Sequence, residues 1–460
     1  MRAATAIAVT LLAVASTALN AQTVGSPKLP ETEKGVADKP TDVTPAAKPE
    51  DFAVHVQSTV VGQGNAAFRS PYDGPNSLDG NGQFRETFDA TLYVGVSPWH
   101  GFEVWGNAEI DQGFGLRSTL GAAGFPSAEA YKVGKGTPYA RLQRFFLRQT
   151  IDLGGEVAAV APDLNVLGAN HSADRLTVTI GKFSVADVFD QNKYAHDPRG
   201  DFLNWTAVDL GTFDYAADAW GYTYGGTAEL AIGKWTARTG LFNLSKIPNS
   251  VDLETNFRQF QVVGEVERRV TIGGRPGAIR LTGWLSHGDF ARLDDAVAYG
   301  LARGIAPDPV PVRRLRDRTG VGIDAEQELS DTVGVFVRAG LGDGRSEAVE
   351  FTDIDRSVSG GVSIKGSGWS RVKDRIGLAL IANDISAARR RYLAAGGLGI
   401  LIGDGKLPHV GPELIGETYY DFAAVGPLHV TADGQLIVNP AYNRDRGPVP
   451  VFALRAHAQF

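Results

Sequence analysis

From Phe52 onward, apolar and polar side chains alternate with a period of two. That is the period of a β-strand whose two faces meet different surroundings. Over 84–96, Phe84, Phe88, Ala90, Leu92, Val94 and Val96 share one face, opposite Arg85, Asp89 and Thr91. After a tight turn at 97–101, Phe102, Val104, Ala108 and Ile110 oppose Glu103, Trp105, Asn107, Glu109 and Asp111. Val321, Ile323, Ala325 and Leu329 oppose Asp324, Glu326 and Glu328, and Leu428, Val430, Ala432, Leu436 and Val438 oppose His429, Thr431, Asp433 and Gln435. The last residues repeat the pattern, with Phe452, Leu454, Ala456, Ala458 and Phe460 against Ala453, Arg455, His457 and Gln459.

The pattern predicts about sixteen strands, at 52–62, 84–97, 101–111, 141–153, 174–184, 219–232, 234–245, 258–270, 277–288, 318–329, 333–342, 357–365, 374–383, 413–424, 428–439 and 450–460. Short turns (97–101, near 233, 330–332, 425–427) alternate with long connections (112–140, 185–218, 289–317, 384–412). Transmembrane β-barrels alternate short periplasmic turns and long external loops in this way. One connection breaks the rhythm, because 154–173 falls where a short turn is expected. In a soluble sandwich the apolar face is the core, whereas in a membrane barrel it faces lipid and the charges line the lumen. Many Asp, Glu and Arg on one face of the strands favour the lumen. Closure also removes sheet edges, whose unpaired backbone groups hydrocarbon does not tolerate. The expected fold is therefore an all-β transmembrane antiparallel barrel over 52–460, with both ends on the periplasmic side.

The N-terminus supports the same setting. Met1 and Arg2 precede an apolar run to Ala18, with small residues for cleavage near Ala18 or Ala21, so 1–21 reads as a secretory signal peptide. Residues 22–51 are rich in Pro, Lys, Thr, Asp and Glu and read as a flexible periplasmic leader. Cysteine is absent, which excludes disulfides, thiol catalysis and cysteine-ligated metals. The 56 glycines suit many strands joined by turns, and the net charge of −7 argues against a nucleic-acid partner.

Several stretches resemble the carbohydrate-selective porin family of the OprB type. They are GKFSVADVFDQN at 181–192, YAHDPR at 194–199, DFLN at 201–204, RYLAAGGLG at 391–399, ETYY at 417–420 and NPAYNRDRGPV at 439–449. Gly434 departs from the pattern, which is expected to carry an aromatic residue there. The resemblance implies a bacterial outer-membrane barrel that passes sugars, and Phe460 as a recognition signal for the barrel-assembly machinery.

Sugars are neutral, with hydroxyl-rich edges and apolar C–H faces, so a sugar pore benefits from fixed hydrogen-bonding groups beside aromatic platforms. Alternation puts Arg85, Arg144, Arg148, Arg238, Arg280, Arg338 and Arg375 on the inner face. It puts Asp89, Glu103, Glu109, Asp111, Glu265, Asp324, Glu326, Glu417 and Asp433 there as well, with Gln435. Both signs together give paired charges rather than an ion ring. Trp105, Phe146, Trp284 and Phe336 are inner-face aromatics, and Trp105 and Trp284 are the expected stacking platforms. The 185–218 connection is expected to fold into the mouth. Its Asp187, Asp190, Asn192, Asp197 and Asp201 offer oxygen ligands for Ca²⁺, but their spacing matches no EF-hand, which favours a hydrogen-bonded loop. Trp99, Trp220, Tyr222, Trp235 and Tyr420 suit outward interfacial girdles.

Enzyme signatures are poor. Gly397 and Gly399 open no dinucleotide fingerprint, Gly134-Lys135 is followed by Gly136 rather than Ser or Thr, and no serine sits in a G-x-S-x-G elbow. The eight His include no HExxH and no close pair, so the spacing names no metal and no cofactor. The leading reading is a passive channel for mono- or oligosaccharides. A general porin for small anions or organic acids is the alternative, and a barrel hydrolase is a third.

Overall fold

The computed structural model describes residues 48–130 and 132–460. The expected signal peptide, 1–21, and the leader up to residue 47 lie outside the described residues. Sixteen antiparallel strands close into one barrel. They are β1 (Phe52–Asn65), β2 (Gln83–Trp99), β3 (Phe102–Gly113), β4 (Lys135–Val160), β5 (Ala169–Phe183), β6 (Thr223–Ile232), β7 (Trp235–Asn243) and β8 (Phe260–Ile272), followed by β9 (Arg275–Phe290), β10 (Arg314–Glu328), β11 (Val333–Gly342), β12 (Arg356–Lys365), β13 (Arg375–Asp384), β14 (Glu413–Val425), β15 (Leu428–Val438) and β16 (Val449–Gln459). Each expected strand is present, and β16 closes the barrel against β1. Phe460 extends that seam: its N–H donates to Val56 O at 2.8 Å, and Val56 N–H donates to Phe460 O at 3.1 Å.

The alternation arises because the two faces of the wall meet different solvents. Leu380 is 67% exposed and Leu454 59% exposed on the outside, whereas Glu417, Arg338 and Arg455 on the inside are 1% exposed or less. A water-soluble domain does the opposite with these residue types. The apolar outer face runs from Leu92 and Leu147 through Ile180, Leu241, Leu281 and Val337 to Leu378. Such a band exceeds what a soluble surface exposes and matches the outward apolar face of transmembrane β-barrels. Trp99 and Trp235 are half-exposed at the short-turn ends of their strands, and the Tyr420 hydroxyl donates to Asp374 there at 2.6 Å. Trp220 and Tyr222 do not join this girdle. They precede β6 and turn inward, Trp220 Nε1 donating to the Tyr139 hydroxyl at 3.0 Å and Tyr222 lying buried.

The 154–173 connection is a second difference. β4 and β5 continue as a hairpin to a turn at 161–168. The register shifts between Asp152 and Val157, with Gly154 and Gly155 at φ of 130° and 85°, conformations that glycine adopts without strain. Residues 151–158 are exposed, so no contrast between faces marks this stretch as strand. The hairpin turn then folds back under the barrel mouth. Leu167 is buried in the cluster that holds Trp105 and Phe146, Arg148 donates to Asn165 O at 2.8 Å, and Glu50 N–H donates to Gly168 O at 2.8 Å.

The long loops at the other end fold inward. The connection 184–222, between β5 and β6, carries the short helix α1 (Trp205–Val208) and is almost wholly buried from 201 to 219. Loop 291–313 carries α2 (Leu293–Leu301), and loop 385–412 carries α3 (Ala387–Ala394). The loops interlock through aromatic rings: Phe125 stacks on Trp205 at 5.3 Å, Trp205 meets Tyr215 at 5.8 Å, and Tyr215 meets Phe351 at 4.7 Å. The hydrophobic core of this molecule therefore lies inside the barrel, between loops and wall.

Candidate functional site

A loop buried inside a barrel must find partners for its backbone groups, since each orphaned donor or acceptor costs about 1–3 kcal/mol. The inner wall supplies them. Glu417 accepts from Leu203 N–H at 2.5 Å and from Asn204 N–H at 3.2 Å. Gln435 donates to Pro126 O at 2.8 Å and accepts from Asn204 Nδ2 at 3.1 Å. Arg338 donates to Asp190 Oδ1 at 3.0 Å, Ala195 O at 2.8 Å and Ala207 O at 2.9 Å. Arg455 donates to Asp201 O at 2.9 Å, and Glu413 accepts from Gly124 and Ala441 N–H at 2.7 and 2.8 Å. Arg318 pairs with Asp214 on the loop, which in turn accepts from Glu350 and Phe351 N–H at 2.9 Å each.

The expected lining residues thus divide by what they touch. Arg338, Glu417 and Gln435 are buried beneath the 184–222 loop and hold it, and Asp433 is buried beside them. Asp433 accepts from Gln435 Nε2 at 3.1 Å, and Asp89 lies 3.5 Å from Arg199 of the same loop. Arg85 sits at the external rim, exposed, and donates to Phe84 O at 2.8 Å. Trp105 and Trp284 are not free platforms. Trp105 is fully buried and donates to Glu103 at 2.6 Å, while Trp284 packs on Phe213 of the loop at 4.8 Å. The acids considered for Ca²⁺ are held by basic groups or by the loop itself: Asp187 by Arg144, Asp190 by Arg338, Asp201 by Arg375 at 2.8 Å, and Asp197 by Arg199 N–H at 2.9 Å.

β4 is one part of the wall that keeps contact with water, as is Arg375 on β13, whose side chain is 40% exposed. The side chains of Arg141, Arg144 and Arg148 are 28%, 15% and 24% exposed, against 1% for Arg338 on the covered side. Each pairs with an acid: Arg141 with Asp218 at 3.5 Å, Arg144 with Asp187 at 2.6 Å and Arg148 with Glu103 at 3.1 Å. Each guanidinium also lies over a ring, on Trp220 at 3.3 Å, Tyr222 at 4.9 Å and Phe146 at 5.1 Å. Burial works against the charge on Asp187, but Arg144 outweighs it and holds that carboxyl below its ordinary value. Alternation identified Arg144 and Arg148. It missed Arg141 and Trp220, because a bulge at Gln143 and Arg144 resets the parity of β4 and Trp220 lies outside any strand. The signal available was the three arginines themselves, at close intervals on one strand.

An apolar-outside barrel, closed and partly filled by its own loops, defines a porin, a channel rather than an enzyme. Residues 76–460 match the model of the carbohydrate-selective porin OprB family, and the chain belongs to that family. It is an outer-membrane β-barrel that passes carbohydrates. In structure the chain is similar to Pseudomonas putida OprB at high pH, with a TM-score of 0.68 and 16% identity over 89% of this chain and 94% of that one. A weaker likeness joins it to Pseudomonas aeruginosa OccK2 (OpdF), with a TM-score of 0.45 and 11% identity over 89% of this chain and 98% of that one. No curated protein matches the sequence.

Proposed function

We propose that sugars cross the barrel along β4, beside Arg141, Arg144 and Arg148 and the rings those arginines cover. The observation that carries this reading is the repeated unit of a part-exposed guanidinium, a paired carboxylate and an aromatic ring. At about 3.3 Å per residue, Arg141 to Arg148 spans roughly 20 Å of strand. Guanidinium N–H groups donate to sugar hydroxyls, and carboxylates accept from them. Of the three rings, Trp220 is half-buried and offers an apolar surface for the C–H face of a pyranose, while the buried Tyr222 and Phe146 back their guanidiniums. Because each positive charge has its own counter-charge, the surface is dipolar and favours neutral polar solutes over ions of either sign. The same pairing weighs against the small-anion reading, since Arg238, Arg280 and Arg338 each face carboxylates too.

Lipid contacts the outer face in this reading, the strand ending at Phe460 is recognised by the barrel-assembly machinery, 1–21 is the export signal, and 22–51 is a periplasmic leader. Liposome swelling with a solute panel tests the central claim. Glucose and small oligosaccharides are expected to enter faster than amino acids or ions of similar size. In planar bilayers, Arg148→Gln and Trp220→Leu are expected to raise the half-blocking sugar concentration about tenfold each, the loss of roughly 1.4 kcal/mol of contact. Swelling no faster in glucose than in those other solutes overturns the sugar path.

A further inference from the structure

Sequence spacing singles out no metal site, yet the fold brings together three ligands from separate elements at the periplasmic rim. His100 lies in the β2–β3 turn, Asp152 on β4 and His171 on β5. His100 Nε2 is 2.8 Å from Asp152 Oδ2, and His171 Nδ1 is 3.4 Å from Asp152 Oδ1. The two imidazole centroids are 5.2 Å apart, and one ligand atom from each residue lies within 4.8 Å of the others. His171 is only 6% exposed, and its Nδ1, aimed at the carboxylate, makes no hydrogen bond. A buried ring nitrogen held beside a carboxylate without a well-formed hydrogen bond has capacity for a further partner. The Asp152 carboxylate is itself oriented by Ser172 N–H, which donates to Oδ1 at 2.7 Å.

We propose that His100, Asp152 and His171 form a binding site for a divalent transition-metal ion of the Zn²⁺ class. Two imidazole nitrogens and one carboxylate oxygen are the donor set for such ions, whereas Ca²⁺ and Mg²⁺ take oxygen ligands throughout. Tetrahedral bonds of about 2.0–2.1 Å place donors roughly 3.3 Å apart, so the observed spacing closes on an ion through small side-chain rotations. The His100 side chain is 66% exposed, which leaves a path for the ion and a fourth position for water. The ion would fasten the β2–β3 turn to the β4–β5 hairpin, the same hairpin whose turn covers the mouth beneath Trp105. Two further close His–Asp contacts, His287 with Asp317 at 2.7 Å and His409 with Asp445 at 2.9 Å, bring one imidazole each and serve as internal comparisons.

Titration calorimetry of Zn²⁺ into the purified full-length barrel in detergent tests the site. One saturable site is expected, weakened at least tenfold in His100→Ala and in His171→Ala, and unchanged in His409→Ala. Ca²⁺ and Mg²⁺ in excess are not expected to displace Zn²⁺. His100→Ala decides the matter if His171→Ala does not fold, since His100 is exposed, and heat-modifiable migration in gels reports on the barrel. Absence of saturable Zn²⁺ binding, undiminished affinity in folded His100→Ala, equal loss in His409→Ala, or displacement by Ca²⁺ would each overturn the proposal.

Discussion

Replacing Arg338 with alanine isolates the contribution of one wall residue to the filling of the pore. Its guanidinium donates to Asp190 Oδ1 at 3.0 Å and to the carbonyls of Asp190, Ala195 and Ala207 at 3.3, 2.8 and 2.9 Å, with Asp324 Oδ1 at 3.9 Å. Asp190 and Asp324 are 2% and 3% exposed with Arg338 in place. Its removal leaves Asp190 without its cation beside three carbonyls that have lost a donor, while Asp324 keeps Arg280 at 2.8 Å. Removing one partner of a buried ion pair costs about 3–5 kcal/mol, because the other charge stays behind. That shifts the balance between seated and released loop by roughly 150- to 4,000-fold. Glu417, Arg455 and Arg375 still hold 201–204, so the release is confined to the flanking stretches around 190–195 and Ala207. The strand ladder is untouched, so heat-modifiable gel migration should match the wild type. Single-channel recording should show higher conductance and new open-state noise, and liposomes should admit larger sugars. Arg338→Lys should fall between the two, since an ammonium restores charge but cannot span four acceptors. Wild-type conductance and noise in folded Arg338→Ala would refute the reasoning, and the loop would then owe its seat to its other wall contacts and to aromatic packing.

The loop seat should also respond to pH. Burial first, and the neighbouring Asp190 second, push the Asp209 carboxyl from 3.8 up to about 8, with Arg338 opposing. A carboxyl protonated in the seated loop and ionised in water adds stability that is complete below its ordinary value and lost as pH rises through about 8. Channel noise should therefore grow from pH 5 to pH 9, and Asp209→Asn should flatten that rise. Gly322 faces Leu210 so closely that a Cβ would overlap its methyl groups, so Gly322→Val should expel Leu210, raise conductance and leave the barrel folded. Deleting Phe460 removes two seam hydrogen bonds and should lower the yield of folded barrel in membranes much more than it alters conductance of the channels that form. Normal yield would count against the seam's role in assembly.

The wall was legible in the sequence because lipid and lumen impose a contrast on each strand, and Asp89, Asp324 and Asp433 lie on the inner face that alternation predicts. Where the contrast vanishes, so does the signal. Residues 151–158 meet water on both sides, which hides the ends of β4 and β5. Alternation also reports which face a residue occupies, not what lies over it. Trp105 and Trp284 point inward as expected, but one is capped by the hairpin turn around Leu167 and the other by Phe213. A further sign was present in the chain, unused: Gly320, Gly322, Gly334 and Gly340 occupy the inner face of β10 and β11, where Trp284, Leu210, Tyr194 and Thr212 rest against them. Small residues on an inner wall mark where a loop lies. His100 and His171 were out of reach of any spacing rule, being joined only through the pairing of β3, β4 and β5.

Every strand pairing except that of β1 with β16 joins neighbours in sequence. The exception links residues such as Thr59 and His457, which lie 398 positions apart along the chain. Each hairpin can therefore form on local information, but joining ends so distant carries a loop-closure cost of about 5 kcal/mol in chain entropy. Nothing offsets that cost until the nine register pairs of the seam engage together. The barrel should thus spend its assembly as an open, twisted sheet with two unsatisfied edges, the state that hydrocarbon tolerates least. Help from outside is needed less for making strands than for sheltering those two edges until they meet.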